Sequence, residues 1–186
     1  MPLPHKGGLR LHLTHGDITI RTALPEDAAQ LCLWWNDGAV MAHAGYPLGL
    51  GTTVEKEART LSLQRDETGR RHIIEYAGAP IGEMNYRNIG DNTAEIGIKI
   101  CESDMQNKGL GKVILSLFIK GLFETMGFRK IVLDTNLNNT RAQHVYEQLG
   151  FRKLRVNIDS WTDQLGQKQS SVDYELYPQD LVSYLK

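Results

Sequence analysis

The chain is expected to fold as a mixed α/β domain around a mostly antiparallel sheet, and three observations carry that expectation. Short alternating segments, HIIEYA, IGEMNYRNI and TAEIGIKI, follow one another across tight turns. Two helical stripes, at 110–126 and 139–150, bracket one further strand and so make a strand, helix, strand crossover. At 186 residues the chain holds one full core and is too short for two ordinary ones, so residues 1–186 read as one domain.

Each element follows from its residues. LRLHLTHGDITIR alternates on both sides of HGD as a hairpin does; residues 1–15 read as an N-terminal extension or extra strand, and Ile18 to Arg21 as the first core strand. Pro25 suits a first helical turn, Glu26 and Asp27 favour its positive end, and Ala28, Leu31, Cys32 and Trp35 recur at helical spacing. GAVMAHAGYPLGLGT reads as a loop, and Val54, Ala58 and Leu61 place a second helix after it. Three meandering strands come next. From Leu110 to Met126, Val113, Ile114, Leu117, Phe118 and Leu122 share one helical face that Gly127 can cap. The strand RKIVLDTN leads to the capped helix NTRAQHVYEQLG, with Ala142, Val145, Tyr146 and Leu149 on one stripe. FRKLRVNIDSW and SSVDYELY end the chain as strands around TDQLGQKQ, which either covers a pocket or lies between subunits.

Composition removes several classes of function. Hydrophobic residues at 41%, charged residues at 23% and a net charge of -1 describe a globular protein with no bulk attraction to nucleic acid or membrane. Cys32 and Cys101 stand alone without C-x-x-C spacing, which argues against a disulfide scaffold or a metal site. MPLPHKGGLRLHL lacks the apolar core of a secretory signal, and no run is long enough to span a bilayer, so a cytoplasmic protein is expected.

The stretch QNKGLGK, at the start of the 110–126 helix, carries the first functional signal. A P-loop needs glycine at 106 and Ser or Thr at 113, where Gln106 and Val113 stand. A dinucleotide fingerprint needs glycine at 114, which is Ile114. What remains is Q-x-x-G-x-G between a strand and a helix, where unpaired N–H groups and the helix dipole face an anion such as pyrophosphate. Gly109 and Gly111 let phosphate oxygens approach the main chain, and Lys108 and Lys112 add charge. The stretch by itself is equally compatible with a glycine-rich helix start that binds nothing.

Read together, Q-x-x-G-x-G at 106–111 and N-x-x-A-x-x-x-Y-x-x-x-G-F from Asn139 to Phe151 resemble the GNAT superfamily of acyl-CoA-dependent N-acetyltransferases. The likeness is greatest to the branch that includes ribosomal-protein alanine acetyltransferases, while the Trp34-Trp35 pair followed by small and acidic residues resembles aminoglycoside 6′-N-acetyltransferases. The resemblance implies a twisted, mostly antiparallel sheet with a V-shaped splay between the strands that flank acetyl-CoA, and helices on both faces. It implies that Gln106, Asn107, Lys108, Gly109, Leu110, Gly111 and Lys112 grip the CoA pyrophosphate. It also implies that the strand end at Ile98, Ile100 and Cys101 bonds the pantetheine, that Asn139 reaches the same arm, and that the Tyr146 hydroxyl points to the thioester sulfur.

Acetyl transfer to an amine needs a neutral nucleophile, a polarised thioester carbonyl and a proton for the departing thiolate. A backbone N–H near Ile98 or Lys99 answers the second need, and Tyr146 the third, unless that ring is simply a core aromatic. Glu95, on the strand face of Gly97 and Lys99, is the expected base, acting directly or through water, and is equally readable as a solvated carboxylate. Asp134 competes with it but also reads as a turn cap, and is set aside. For the acceptor the candidates are Trp35, Asp37, His43, Tyr46 and Glu83, each of which also has a plain packing or surface reading. Trp34 and Trp35 are not expected to face the core together.

The expected activity is direct acetylation, in a ternary complex, of a primary amine on a small cationic or amino-sugar-like molecule. The alternatives are acetylation of a protein N-terminus or lysine and, from another class, a non-catalytic acyl-CoA-binding module. Monomer and homodimer both remain open.

Overall fold

A computed structural model describes residues 11–186. In chain order they form β1 (His12–His15), β2 (Ile18–Thr22), α1 (Ala28–Trp35), α2 (Gly38–Met41), α3 (Val54–Leu63), β3 (Gly69–Tyr76), β4 (Ala79–Asn88) and β5 (Thr93–Ile100). Then follow α4 (Leu110–Lys120), β6 (Lys130–Asn136), α5 (Thr140–Gln148), β7 (Arg152–Thr162) and β8 (Lys168–Leu176). The strands make one sheet in the order β1-β2-β3-β4-β5-β6-β8-β7. Every neighbouring pair is antiparallel except β5 and β6, which the α4 crossover makes parallel.

That parallel pair is where the sheet opens. Only Thr93, Ala94 and Glu95 pair with Lys130, Ile131 and Val132. Beyond them β5 stays joined to β4 as far as Ile100, and β6 stays joined to β8 as far as Asn136. The strands therefore part, which is the splay the family resemblance implies.

Strand alternation divides the sheet into two faces. On β3, Ile73 packs with Leu31, Trp35 and Leu61 of α1 and α3, while the adjacent Ile74 packs with residues of α4. The α4 face is the larger core: Ile96, Ile114, Phe118, Leu133, Leu149 and Tyr174 join it, with α5. Burial of each such side chain contributes roughly 1.5–3 kcal/mol. On the other face α1 to α3 cover β2 to β5, and the part made by β6, β8 and β7 carries a polar row that includes Asp134, Asp173 and Glu175.

The structure adjusts several sequence expectations. Residues 1–10 lie outside the described residues, and of the segment read as an extension or extra strand, His12–His15 is a strand paired to β2. The expected loop after α1 contains the one-turn α2, because the Asp37 carboxylate accepts from Ala39 N at 2.8 Å and caps it. The helix expected from Leu110 to Met126 is α4 only as far as Lys120 and takes π geometry over Gly121–Thr125. Trp34 and Trp35 are both buried, against expectation. Each indole N–H has found a carboxylate, Trp34 on Glu102 at 2.7 Å and Trp35 on Glu83 at 3.3 Å, so one helix turn buries both rings without an unpaired donor.

Candidate active site

The gap between β5 and β6 opens into a cleft of about 1290 Å³. Its β5 bank is main chain. Cys101 N donates to Ile81 O at 2.8 Å, so by alternation residues 97, 99 and 101 turn their polar groups to β4, and Ile96, Ile98 and Ile100 turn theirs into the gap. The Ile100 carbonyl accepts from the Gln106 side chain at 2.9 Å. The Ile98 N–H points into the cleft on this count; that of Lys99 points away.

The floor of the cleft is the first turn of α4. Gly109 is its N-cap at φ 73, a left-handed conformation that favours glycine, and no side chain caps the turn. The N–H groups of Leu110, Gly111 and Lys112 have no partner within the helix. A Cβ built on Gly109 or Gly111 would meet nothing within 4 Å, so the space beside both residues is open. Lys108 and Lys112 line the cleft here, and Lys112 Nζ also lies 4.8 Å from the centre of the Tyr184 ring. This bank is built for an anion.

The opposite bank is α5 and the end of β6. Asn139 caps α5, its side-chain oxygen accepting from Ala142 N at 3.2 Å, while still lining the cleft. Tyr146 is wedged between Phe151 and Tyr174, with ring centres 5.7 and 5.8 Å away, on the α4 face of the sheet. Burial, with a smaller push from Asp134, raises its pKa to about 12, so the hydroxyl is protonated at neutral pH. Asp134 lines the cleft from the opposite, polar face.

The remaining wall comes from segments far apart in sequence. His43 and Ala44 line it from the turn after α2, and Ser160 and Trp161 from β7. The β7–β8 turn docks on that loop: Gln164 N donates to Gly45 O at 2.8 Å, and the Gln164 side chain accepts from Leu48 N at 2.8 Å and donates to Gly49 O at 2.9 Å. Trp161 lies so close to Gly45 that a Cβ there would fall 2.4 Å from the ring. TDQLGQKQ thus docks on the 45–49 loop of its own chain, next to the Ser160 and Trp161 that line the cleft.

Among the residues expected to bind CoA, Ile98, Ile100, the 106–112 stretch, Asn139 and Tyr146 converge on the cleft, and His43 of the acceptor candidates joins them. The others do not line it. Cys101 packs in the α1 to α3 core, and burial, followed by the nearby Glu83 charge, pushes its thiol pKa well up. Glu83 is buried and paired with Arg71, with Lys99 Nζ 3.9 Å away. Trp35 is bonded to that carboxylate, Asp37 caps α2, and Tyr46 is half-exposed outside the cleft. Glu95 is bound to Arg87 at 2.7 Å. Sequence reasoning missed Trp161 and Ser160 and set Asp134 aside; the place of Asp134 at a strand end of an α/β sheet was the usable signal.

A sheet split at its one parallel pair, with a free strand edge on one bank and an uncapped helix N-terminus as the floor, is suited to a long ligand with an anionic end. Residues 17–152 match the family model described as an acetyltransferase (GNAT) domain, and the chain belongs to that family of acetyltransferases. An uncharacterized protein of Methanocaldococcus jannaschii is 32% identical over 75 residues, a match that takes in 40% of this chain and only 15% of that protein. The crystal structure of spermidine N-acetyltransferase from Vibrio cholerae in complex with CoA and spermine is similar at a TM-score of 0.79 and 18% identity, covering 88% of this chain and 97% of that one. A GNAT-family acetyltransferase from Bacillus anthracis gives 0.74 at 18% identity, covering 91% and 99%. At these identities the likeness to both structures is one of fold.

Proposed function

We propose that this chain transfers the acetyl group of acetyl-CoA to a primary amine on a small cationic or amino-sugar-like molecule, by direct attack within a ternary complex. The observation that carries the reading is the gap itself, one cleft that joins an uncapped, lysine-flanked helix N-terminus to the polar side chains of Asp134, Asn136 and Ser171. The residues fit CoA. The N–H groups of the first α4 turn with Lys108 and Lys112 would hold its pyrophosphate, and the gap edge at Ile98 and Ile100 would bond its pantetheine as an added strand would. When bound, the thioester supplies an activated acyl carbon.

The chain's own groups then divide the work. The Ile98 N–H is directed to hold the carbonyl oxygen as charge develops on it. Tyr146, fixed by its aromatic neighbours and protonated at neutral pH, gives its proton to the leaving sulfur. The docking of Gln164 on the 45–49 loop holds two cleft-lining segments of the same chain together, His43 and Ala44 with Ser160 and Trp161, and so favours a small amine over a protein N-terminus. Acetyl-CoA consumption measured against polyamines, aminoglycosides, amino sugars and N-terminal peptides tests this. Turnover with small amines is expected; turnover confined to peptides would replace the acceptor assignment, and CoA binding without any turnover would support the non-catalytic reading.

A further inference from the structure

Three carboxylates lie near one another on the polar face of the sheet beside the gap. Glu95 is registered with Val132, two residues before Asp134 and on the same face, and Asp134 is registered with Asp173 across β6 and β8. Two of the three are occupied. Glu95 is bound to Arg87 at 2.7 Å and Asp173 to Arg155 at 2.8 Å. Among the described residues Asp134 has no such cation: what acts on its carboxyl is first the loss of water to the protein around it, then repulsion from Glu95 and Asp173, and together they raise its pKa above the usual value.

Its position is also distinctive. Asp134 is the single carboxylate among the described residues that line the cleft. It stands two residues past the last β5–β6 pair, where the strands have just parted, and it is exposed to the chamber shared with Asn136, Ser171 and Trp161. Tyr146 borders the same gap from the opposite face, near enough for the Asp134 charge to act on its hydroxyl.

On the reading of the chain as an amine acetyltransferase, we infer that Asp134, and not Glu95, is the base that deprotonates the acceptor. The acceptor enters as an ammonium, and the Asp134 carboxylate takes one proton from it. The freed nitrogen lone pair forms the C–N bond to the thioester carbon, and the carbonyl π pair moves to oxygen. As that pair returns, the C–S bond breaks and the sulfur takes the Tyr146 proton. The tyrosinate recovers a proton from the newly acylated nitrogen, giving the neutral amide and free thiol, and Asp134 releases its proton to solvent. One proton leaves per turnover. The acid and the base thus work from opposite faces of the sheet.

The test uses the full chain with acetyl-CoA and whichever amine of the small-molecule panel wild type acetylates fastest. Asp134→Asn is expected to lower kcat by roughly 10²–10⁴ with CoA affinity unchanged by calorimetry, and to remove the acid-side fall of the wild-type kcat–pH profile. Asp134→Glu should recover part of the rate and restore that fall, and Glu95→Gln should stay within a few-fold of wild type. If Asp134→Asn keeps wild-type kcat and pH profile, or if Glu95→Gln shows the large loss instead, the assignment of the base is overturned while the acetyltransferase reading stands. Loss of CoA affinity in Asp134→Asn together with rate would mark a structural role and overturn it too. If wild type binds CoA and acetylates no amine, both the reading and the inference fall.

Discussion

Under the proposed function, the donor side of the cleft rests chiefly on main chain, the gap edge of β5 and the first turn of α4 beside Lys108 and Lys112, whereas the acceptor side would be side chain, from His43, Trp161 and Asp134. A ligand gripped by backbone is the same ligand whatever the side chains are, which suits a common cofactor. A pocket lined by side chains from the α2 turn, β6 and β7 can change its guest without disturbing that grip. The two regions meet only at the gap, where Tyr146 stands on one side and Asp134 on the other.

This division is open to perturbation. The largest effect is expected at the meeting point: Tyr146→Phe should reduce kcat by roughly 10²–10⁴ and leave CoA affinity near wild type, since only the hydroxyl is removed. Steady-state kinetics with a calorimetric CoA titration would check it. Next, Lys112→Glu reverses a charge at the α4 N-terminus and should weaken CoA binding by roughly ten- to a hundredfold, the scale of a lost charge-assisted contact, with the amine KM little changed. Gly45→Val acts on the other wall. It places a side chain inside the Trp161 ring position at a φ of +93 that favours glycine, and should raise the amine KM by about tenfold while the CoA dissociation constant stays fixed.

The smallest effect on either wall is expected from the shared sheet. His72 is fully buried on β3 against Phe118, and neither ring nitrogen has a hydrogen-bond partner among the described residues. Burial, with the Arg70 and Arg71 charges nearby, holds its pKa down to about 3 from an ordinary 6.5. The unfolded chain therefore binds this proton below 6.5 while the folded one does not, and stability present above 6.5 is lost as pH falls toward 3. His72→Leu should flatten that loss and add about 1–3 kcal/mol by removing unpaired polar atoms; denaturant titrations at pH 5 and 7 read both, and the kinetic constants should not move.

The donor bank was legible because its demands are local. A left-handed turn at 109, an open approach at 111 and a side-chain cap at 139 each select a residue type that stands in the sequence as a motif. The acceptor wall was not, because its geometry is set by contacts more than 100 residues apart, such as Gln164 on Leu48 and Trp161 on Gly45. Strand parity placed Glu95 on the right face, yet its pairing with Arg87 depends on the β4–β5 register, which alternation does not reveal. Trp34 and Trp35 were misjudged for a similar reason: helical angle says which way a ring points, not that Glu102 and Glu83 wait to accept from both. The one-turn α2 is too short to show a period at all.

The most direct measurement follows free thiol and acetylated product together when the chain is mixed with acetyl-CoA and one small primary amine at a time. Direct transfer requires at least one amine for which thiol release depends on the amine and equals the amide formed, with one ternary complex and no acetylated protein along the way. Thiol release without amide, or an acetyl group that appears first on the protein, would contradict direct transfer across the gap.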